Sequence, residues 1–191
     1  MGLRTFLAID LPSDLHKIIV QKQERLRREL PQINWVKSQN LHITLKFLGD
    51  TPEAKIADLK QVIQEALKGV SPFVLTLRGF GVFPDKRAPR TIWTGIDSDH
   101  NALEDLASHV ESSVISLGFP EEGKPFRPHL TLARIKKDHR ATGHAIENSG
   151  LLNDPFIFGR LLVEHVTLFQ SELRPTGSVY TNLWAVPLGN S

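Results

Sequence analysis

Two short strings, HITLKFLG from His42 and HLTLAR from His129, alternate apolar and polar residues with a period of two, and this constrains the fold more than any other feature of the chain. Side chains at i and i+2 share a face of a β-strand. His42 and Thr44 therefore look one way, while Leu41, Ile43, Leu45 and Phe47 look the other way as an apolar row for a core to bury. A repeated strand of this kind points to two related lobes, each contributing one string to a shared cleft. If they face one another, the strands bring together paired imidazoles and hydroxyls, the equipment for acid/base chemistry on a bound anion such as a phosphodiester. One imidazole takes a proton while the other gives one.

With 8 histidines, chance should yield roughly a tenth or less of one His-x-Thr-Leu match in a chain of this size. The chain has a third match, HVTL at His165, so the pattern alone does not select the working pair. Alternation puts Leu161 and Val163 on the face of His165 and Thr167, which reads as a half-buried structural histidine on a strand.

A length of 191 residues suits one ordinary domain, or two small lobes sharing a core. The absence of cysteine excludes disulfides, zinc ribbons and thiol catalysis, and fits a reducing compartment. No secretory or membrane-length apolar run is present, so a cytoplasmic protein is expected. The net charge is only +2, so any affinity for nucleic acid has to come from local basic groups. Three such groups stand out: Arg25, Arg27 and Arg28 on a predicted helix; Lys86, Arg87 and Arg90 in a loop; and Lys124 through Lys137 around the second string.

Strands are expected from Thr5 to Leu11, Phe73 to Phe80, Thr91 to Ile96, at His129, and from Leu161 to Phe169 and Val179 to Val186. Helices are expected from Pro12 and Ser13 to Leu30, from a Thr51 cap to Gly69, from Asn101 to Leu117, and from Asp138 to Glu147. This mixed order points to an α+β fold. No P-loop, dinucleotide fingerprint, HExxH or nucleophile elbow occurs. Trp35, Phe80 and Trp93 read as packing residues before base-stacking ones. His139 and His144 are off the helical i, i+4 spacing, and neither His42 nor His129 has a carboxylate at ligand spacing, which favours metal-free chemistry.

The strings RTFLAIDLP, INWVKSQNLHITLKFLGD, GVFP with PRTIWTGI, FRPHLTLARIK and VTLFQSELRPTGSVYT resemble, nearly end to end, the two-histidine phosphoesterases. Within them the chain looks like the bacterial and archaeal RNA 2',3'-cyclic phosphodiesterases, also called 2'-5' RNA ligases. The resemblance implies one domain over residues 1–191: two pseudo-symmetric lobes with antiparallel-rich sheets flanked by helices, and an active-site cleft between them. It implies metal-independent hydrolysis of an RNA terminal 2',3'-cyclic phosphate to a 2'-phosphate, with reversible, ATP-independent 2'-5' ligation and no cofactor. RNA, tRNA fragments among it, is then the partner of a cytoplasmic monomer that does not engage membranes.

The family's paired motifs fall on His42 with Thr44 and on His129 with Thr131, leaving His165 outside the catalytic pair. By analogy His129 is the general base and His42 the general acid, with the threonine hydroxyls donating to the non-bridging oxygens. Arg134 matches the arginine closing the second motif and is expected to keep His129 neutral. At i+5 it has the wrong parity, and reaches the cleft only where the strand twists, bulges or ends. Lys46 and Arg127 have the parity of their histidines and are candidate substrate contacts, or else solvated basic side chains. Two other readings stand beside this one: a relative acting on a small nucleotide such as a cyclic phosphate of ADP-ribose, and a non-catalytic RNA-binding module with the same fold.

Overall fold

In the computed structural model, residues 2–175 and 177–189 are described. The order of elements is β1 (Gly2–Ile9), α1 (Ser13–Glu29), β2 (Asn34–Trp35), β3 (Ile43–Pro52), α2 (Lys55–Ala66), β4 (Phe73–Phe83), β5 (Thr91–Ser98) and α3 (Ala102–Ile115). There follow β6 (His129–Arg134), α4 (His139–Asn148), β7 (Ile157–Val163), β8 (His165–Arg174) and β9 (Gly177–Pro187). All strand pairings are antiparallel: β3-β1-β8-β9 form a first sheet and β2-β6-β5-β4-β7 a second. This is the α+β class expected. The halves correspond, because β1–α1–β3 and β5–α3–β6 are each a strand, a helix and a second strand that returns antiparallel beside the first.

The helices are exchanged between the lobes. Helix α1 leaves the first sheet at β1, yet it backs the second. Its Leu15, Ile19 and Leu26 form a buried stripe at helical spacing, and Leu15 Cδ1 would lie 3.3 Å from a Cβ added at Gly159 of β7. The one polar residue in that stripe, Gln23, is 3 % exposed and donates to Leu132 O (3.0 Å) and Val36 O (3.2 Å). Helix α3 leaves the second sheet at β5 and stands against β3 of the first, beside α2. Lys55 of α2 donates to Leu117 O just past α3 (2.6 Å), and Trp184 of β9 donates to Ile56 O of α2 (3.2 Å).

Two expectations fail for identifiable reasons. Thr51 does not cap α2. It lies in β3, fully buried, with its hydroxyl 2.7 Å from that of Thr5, because β3 pairs with β1 as far as Pro52. The single strand expected from Leu161 to Phe169 is two strands in different sheets, separated at Glu164. Leu161 and Val163 are core in the second sheet, while His165, now in the first, is exposed instead of half-buried.

Both motif strands carry a β-bulge at the same place. Ala8 pairs with Thr44 but Leu7 with Lys46, so Leu45 is the extra residue; Trp93 pairs with Thr131 but Ile92 with Ala133, so Leu132 is extra. A bulge puts two residues against one and reverses the alternation beyond it. Leu45 and Lys46 are consequently both buried, as are Leu132 and Ala133, and the next residues, Phe47 and Arg134, come out on the face of their threonines. Phe47, expected in the apolar core row, is 57 % exposed.

Candidate active site

The bulged strands β3 and β6 pack next to one another, which brings the two strings to one cleft. His42 immediately precedes β3, and its Nδ1–H donates to Asn40 O (2.9 Å). His129 opens β6, and its Nδ1–H donates to Arg127 O (2.7 Å). A carbonyl can only accept, so in each ring the hydrogen is held on Nδ1 and Nε2 is the nitrogen left able to take up a proton. Asn40 is itself anchored, its amide donating to Ser178 O at the start of β9 (2.9 Å).

Each imidazole has an aromatic seat. The Phe6 ring lies 4.7 Å from that of His42, and Tyr180 meets it edge-on at 5.2 Å. Phe83 meets His129 edge-on at 5.1 Å, with Trp93 at 6.5 Å. Burial pushes the pKa of His42 down to about 4, and the positive charge of Arg134 adds to the lowering; the hydrogen bond to Asn40 opposes both. His42 is thus neutral at neutral pH.

The parity objection to Arg134 is removed by the bulge at Leu132, which turns its side chain to the face of His129 and Thr131. Its charge acts on His42, however, across the cleft. Arg134 thereby helps to hold the His42 imidazole neutral. Thr44 and Thr131 are half-buried, and neither hydroxyl has a protein hydrogen-bond partner among the described residues.

Lys46 is not placed to meet a substrate. Reversed by the Leu45 bulge, it is 3 % exposed, and its ammonium donates to Glu111 Oε1 (2.8 Å) and Pro120 O (2.7 Å), with Glu122 at 3.7 Å. It ties β3 to the loop that leads into Arg127 and His129. Arg127 is exposed, its guanidinium 6.0 Å from the Phe83 ring centre and its carbonyl fixing His129. His165 lies elsewhere, beside a separate pocket with Asp10 and Glu164. Trp35 is buried, and Phe80 packs on Phe158 at 5.4 Å. Among the described residues, no three histidine or carboxylate side chains gather as a metal-ligand set, and no helix is long and apolar enough to cross a membrane.

Several contributors carry no signal in the sequence. Phe6, Phe83 and Tyr180 lie far from the motifs along the chain and have no signature of their own. Phe47 does have one: it stands five residues after His42, as Arg134 stands five after His129.

The family model for LigT like Phosphoesterase matches this chain over residues 9–93 and 95–180, one match for each half of the fold. The RNA 2',3'-cyclic phosphodiesterase of Methanothermobacter thermautotrophicus is 35% identical over 183 residues, 96% of this chain and 97% of the relative. Among solved structures, TT0787 of Thermus thermophilus aligns with a TM-score of 0.81 and 30% identity, covering 99% of this chain and 100% of that one. Escherichia coli LigT complexed with 3'-AMP aligns with a TM-score of 0.79 and 27% identity over 100% of both chains.

Proposed function

The chain belongs to the LigT like phosphoesterase family, and we propose that it hydrolyses the terminal 2',3'-cyclic phosphate of RNA to a 2'-phosphate. The observation that carries this reading is the matched pair of imidazoles. Each is locked by a backbone carbonyl, and each is followed two residues on by a threonine hydroxyl with no protein partner among the described residues. The relatives' shared name, RNA 2',3'-cyclic phosphodiesterase, supports RNA as the substrate.

His42, neutral in the free protein, accepts a proton from water as the water oxygen attacks phosphorus. The P–O3' bond breaks, and the imidazolium of His129 gives its proton to O3', leaving a free 3'-hydroxyl and a 2'-phosphate. The charge on the non-bridging oxygens is met by the Thr44 and Thr131 hydroxyls and by Arg134. An RNA 5'-hydroxyl in the place of water gives a 2'-5' linkage with the same groups and without ATP. This reading gives the base role to His42, whose pKa burial lowers, where the resemblance gave it to His129. The same reading takes the chemistry as metal-independent and the protein as a cytoplasmic monomer.

The test is a product assay on a short RNA ending in a 2',3'-cyclic phosphate, run in EDTA beside a cyclic phosphate of ADP-ribose. Conversion of the RNA to a 2'-phosphate is expected to persist in chelator. Activity lost in EDTA and restored by zinc or manganese would end the two-histidine mechanism. A 3'-phosphate product would reject the leaving group, and exclusive turnover of the small nucleotide would reject RNA.

A further inference from the structure

Lys46 stands one residue past the bulge in β3, where the corresponding residue of β6 is Ala133. The second lobe closes over an alanine at this position, so packing alone does not call for an ammonium that is 3 % exposed. A buried charge is costly unless it is paired and hydrogen-bonded, and Lys46 is both. Its Nζ donates to Glu111 Oε1 of α3 (2.8 Å) and to Pro120 O (2.7 Å), with Glu122 at 3.7 Å. Glu122 N–H donates to the same Glu111 oxygen (2.6 Å), which closes the group.

Pro120 and Glu122 belong to the segment that carries the chain from α3 to His129. We infer that Lys46 is a positioning residue for His129: from the first lobe, it fixes the segment whose Arg127 carbonyl holds the His129 ring. Its part in turnover rests on the phosphodiesterase reading, in which His129 gives O3' its proton.

The carbonyls that hold the two histidines are anchored differently. Asn40 ties itself down, its own amide donating to Ser178 O (2.9 Å). Arg127 is exposed, its guanidinium 6.0 Å from the Phe83 ring centre, and the residues before it from Glu121 to Pro125 are exposed and outside any helix or strand. Phe126 packs against the core and holds the apolar side of the segment. The polar grip, at Pro120 and Glu122, comes from Lys46 and Glu111. Each motif histidine thus has its carbonyl steadied by a side chain, Asn40 in one case and Lys46 of the opposite lobe in the other.

Nitrogen-15 NMR of the imidazoles, at about pH 8.5 where an ordinary ring is neutral, reads the tautomers of both histidines in one sample. In the unaltered protein both should be Nδ1–H. In Lys46→Met, His42 should stay so, while His129 takes up the Nε2–H form that imidazole favours in water. On cyclic-phosphate RNA, kcat should fall roughly 10- to 100-fold, as it does for a reacting group displaced by about 1 Å, with KM within about twofold. Glu111→Ala removes the oxygen shared by Lys46 and Glu122 and should act in the same direction. Glu111→Gln keeps that oxygen and should retain the His129 tautomer and most of kcat. The Glu111 pair decides the matter if Lys46→Met does not fold.

A fall in kcat with His129 still wholly Nδ1–H would show a merely structural role and overturn the inference. So would a change of tautomer at both histidines, which marks a general loosening, or an unchanged tautomer and kcat in folded Lys46→Met. Absence of turnover in the unaltered protein would overturn the phosphodiesterase reading alone, since the tautomers judge Lys46 without it.

Discussion

The strand after His42 and the strand beginning at His129 share a threonine, a bulged leucine and a backbone carbonyl that locks the histidine tautomer. They part beyond the bulge, where one lobe has Lys46 and Phe47 and the other Ala133 and Arg134. A duplicated fold supplies two equivalent imidazoles, but a reaction that moves a proton in on one side of phosphorus and out on the other needs them inequivalent. At His42 burial lowers the pKa, and Arg134 lowers it further from the opposite lobe. In the proposed mechanism, chemistry is conferred by what the lobes have in common, and direction by what they do not.

Removing either imidazole breaks the comparison most severely. His42→Ala and His129→Ala should each lower kcat on cyclic-phosphate RNA on the order of 100- to 10,000-fold, with the fold intact by circular dichroism. A cyclic phosphate with sulfur in place of O3' separates the two roles, since a departing thiolate needs no proton. His129→Ala should recover most of its rate on that substrate and His42→Ala should not. Recovery in the opposite variant would exchange acid and base.

A smaller effect should follow from removing the cation alone. Loss of the Arg134 charge makes the His42 imidazolium easier to form, so the pKa rises from about 4 toward its ordinary value, stopping short because burial remains. The acidic limb of kcat/KM, which reports the free protein's base, should therefore move to higher pH in Arg134→Ala and hold its place in Arg134→Lys. A limb that stays put in Arg134→Ala would remove the electrostatic link between the lobes. Phosphate should also bind more weakly, by roughly a few-fold to tenfold.

The smallest effect belongs to the histidine that has the motif and not the setting. His165 is exposed in a different pocket, so His165→Ala should leave kcat within about twofold of the unaltered protein, as surface substitutions ordinarily do. A loss comparable with that of His129→Ala would mean that the working pair is wrongly chosen.

Period-two alternation is enough to find both motif strands and to pair each histidine with its threonine, because side-chain parity is a local property. The bulges at Leu45 and Leu132 are not legible in the sequence. Each writes itself as two buried residues in succession, a pattern that a lysine in one strand and an alanine in the other conceal. Lys46 reads as a substrate contact for that reason, and Phe47 as core. The misreading of Leu161 through Phe169 comes from a single residue, Glu164, at which the strand pattern runs on while the chain passes from one sheet to the other. The charge of Arg134 on His42 depends on two strands from different halves, and no spacing along the chain encodes it.

The exchange of helices also bears on how the protein is made. Leu15 of α1 packs against Gly159, and Gln23 binds the carbonyl of Leu132, so the N-terminal helix has its resting place on strands synthesised near the end of the chain. At roughly 5–20 residues per second, those strands follow α1 out of the ribosome after on the order of ten seconds. For that interval the apolar stripe of Leu15, Ile19 and Leu26 has no native surface to cover it. That stripe stays open to other apolar surfaces until β6 and β7 arrive. The two histidines can then meet only after both halves have been translated.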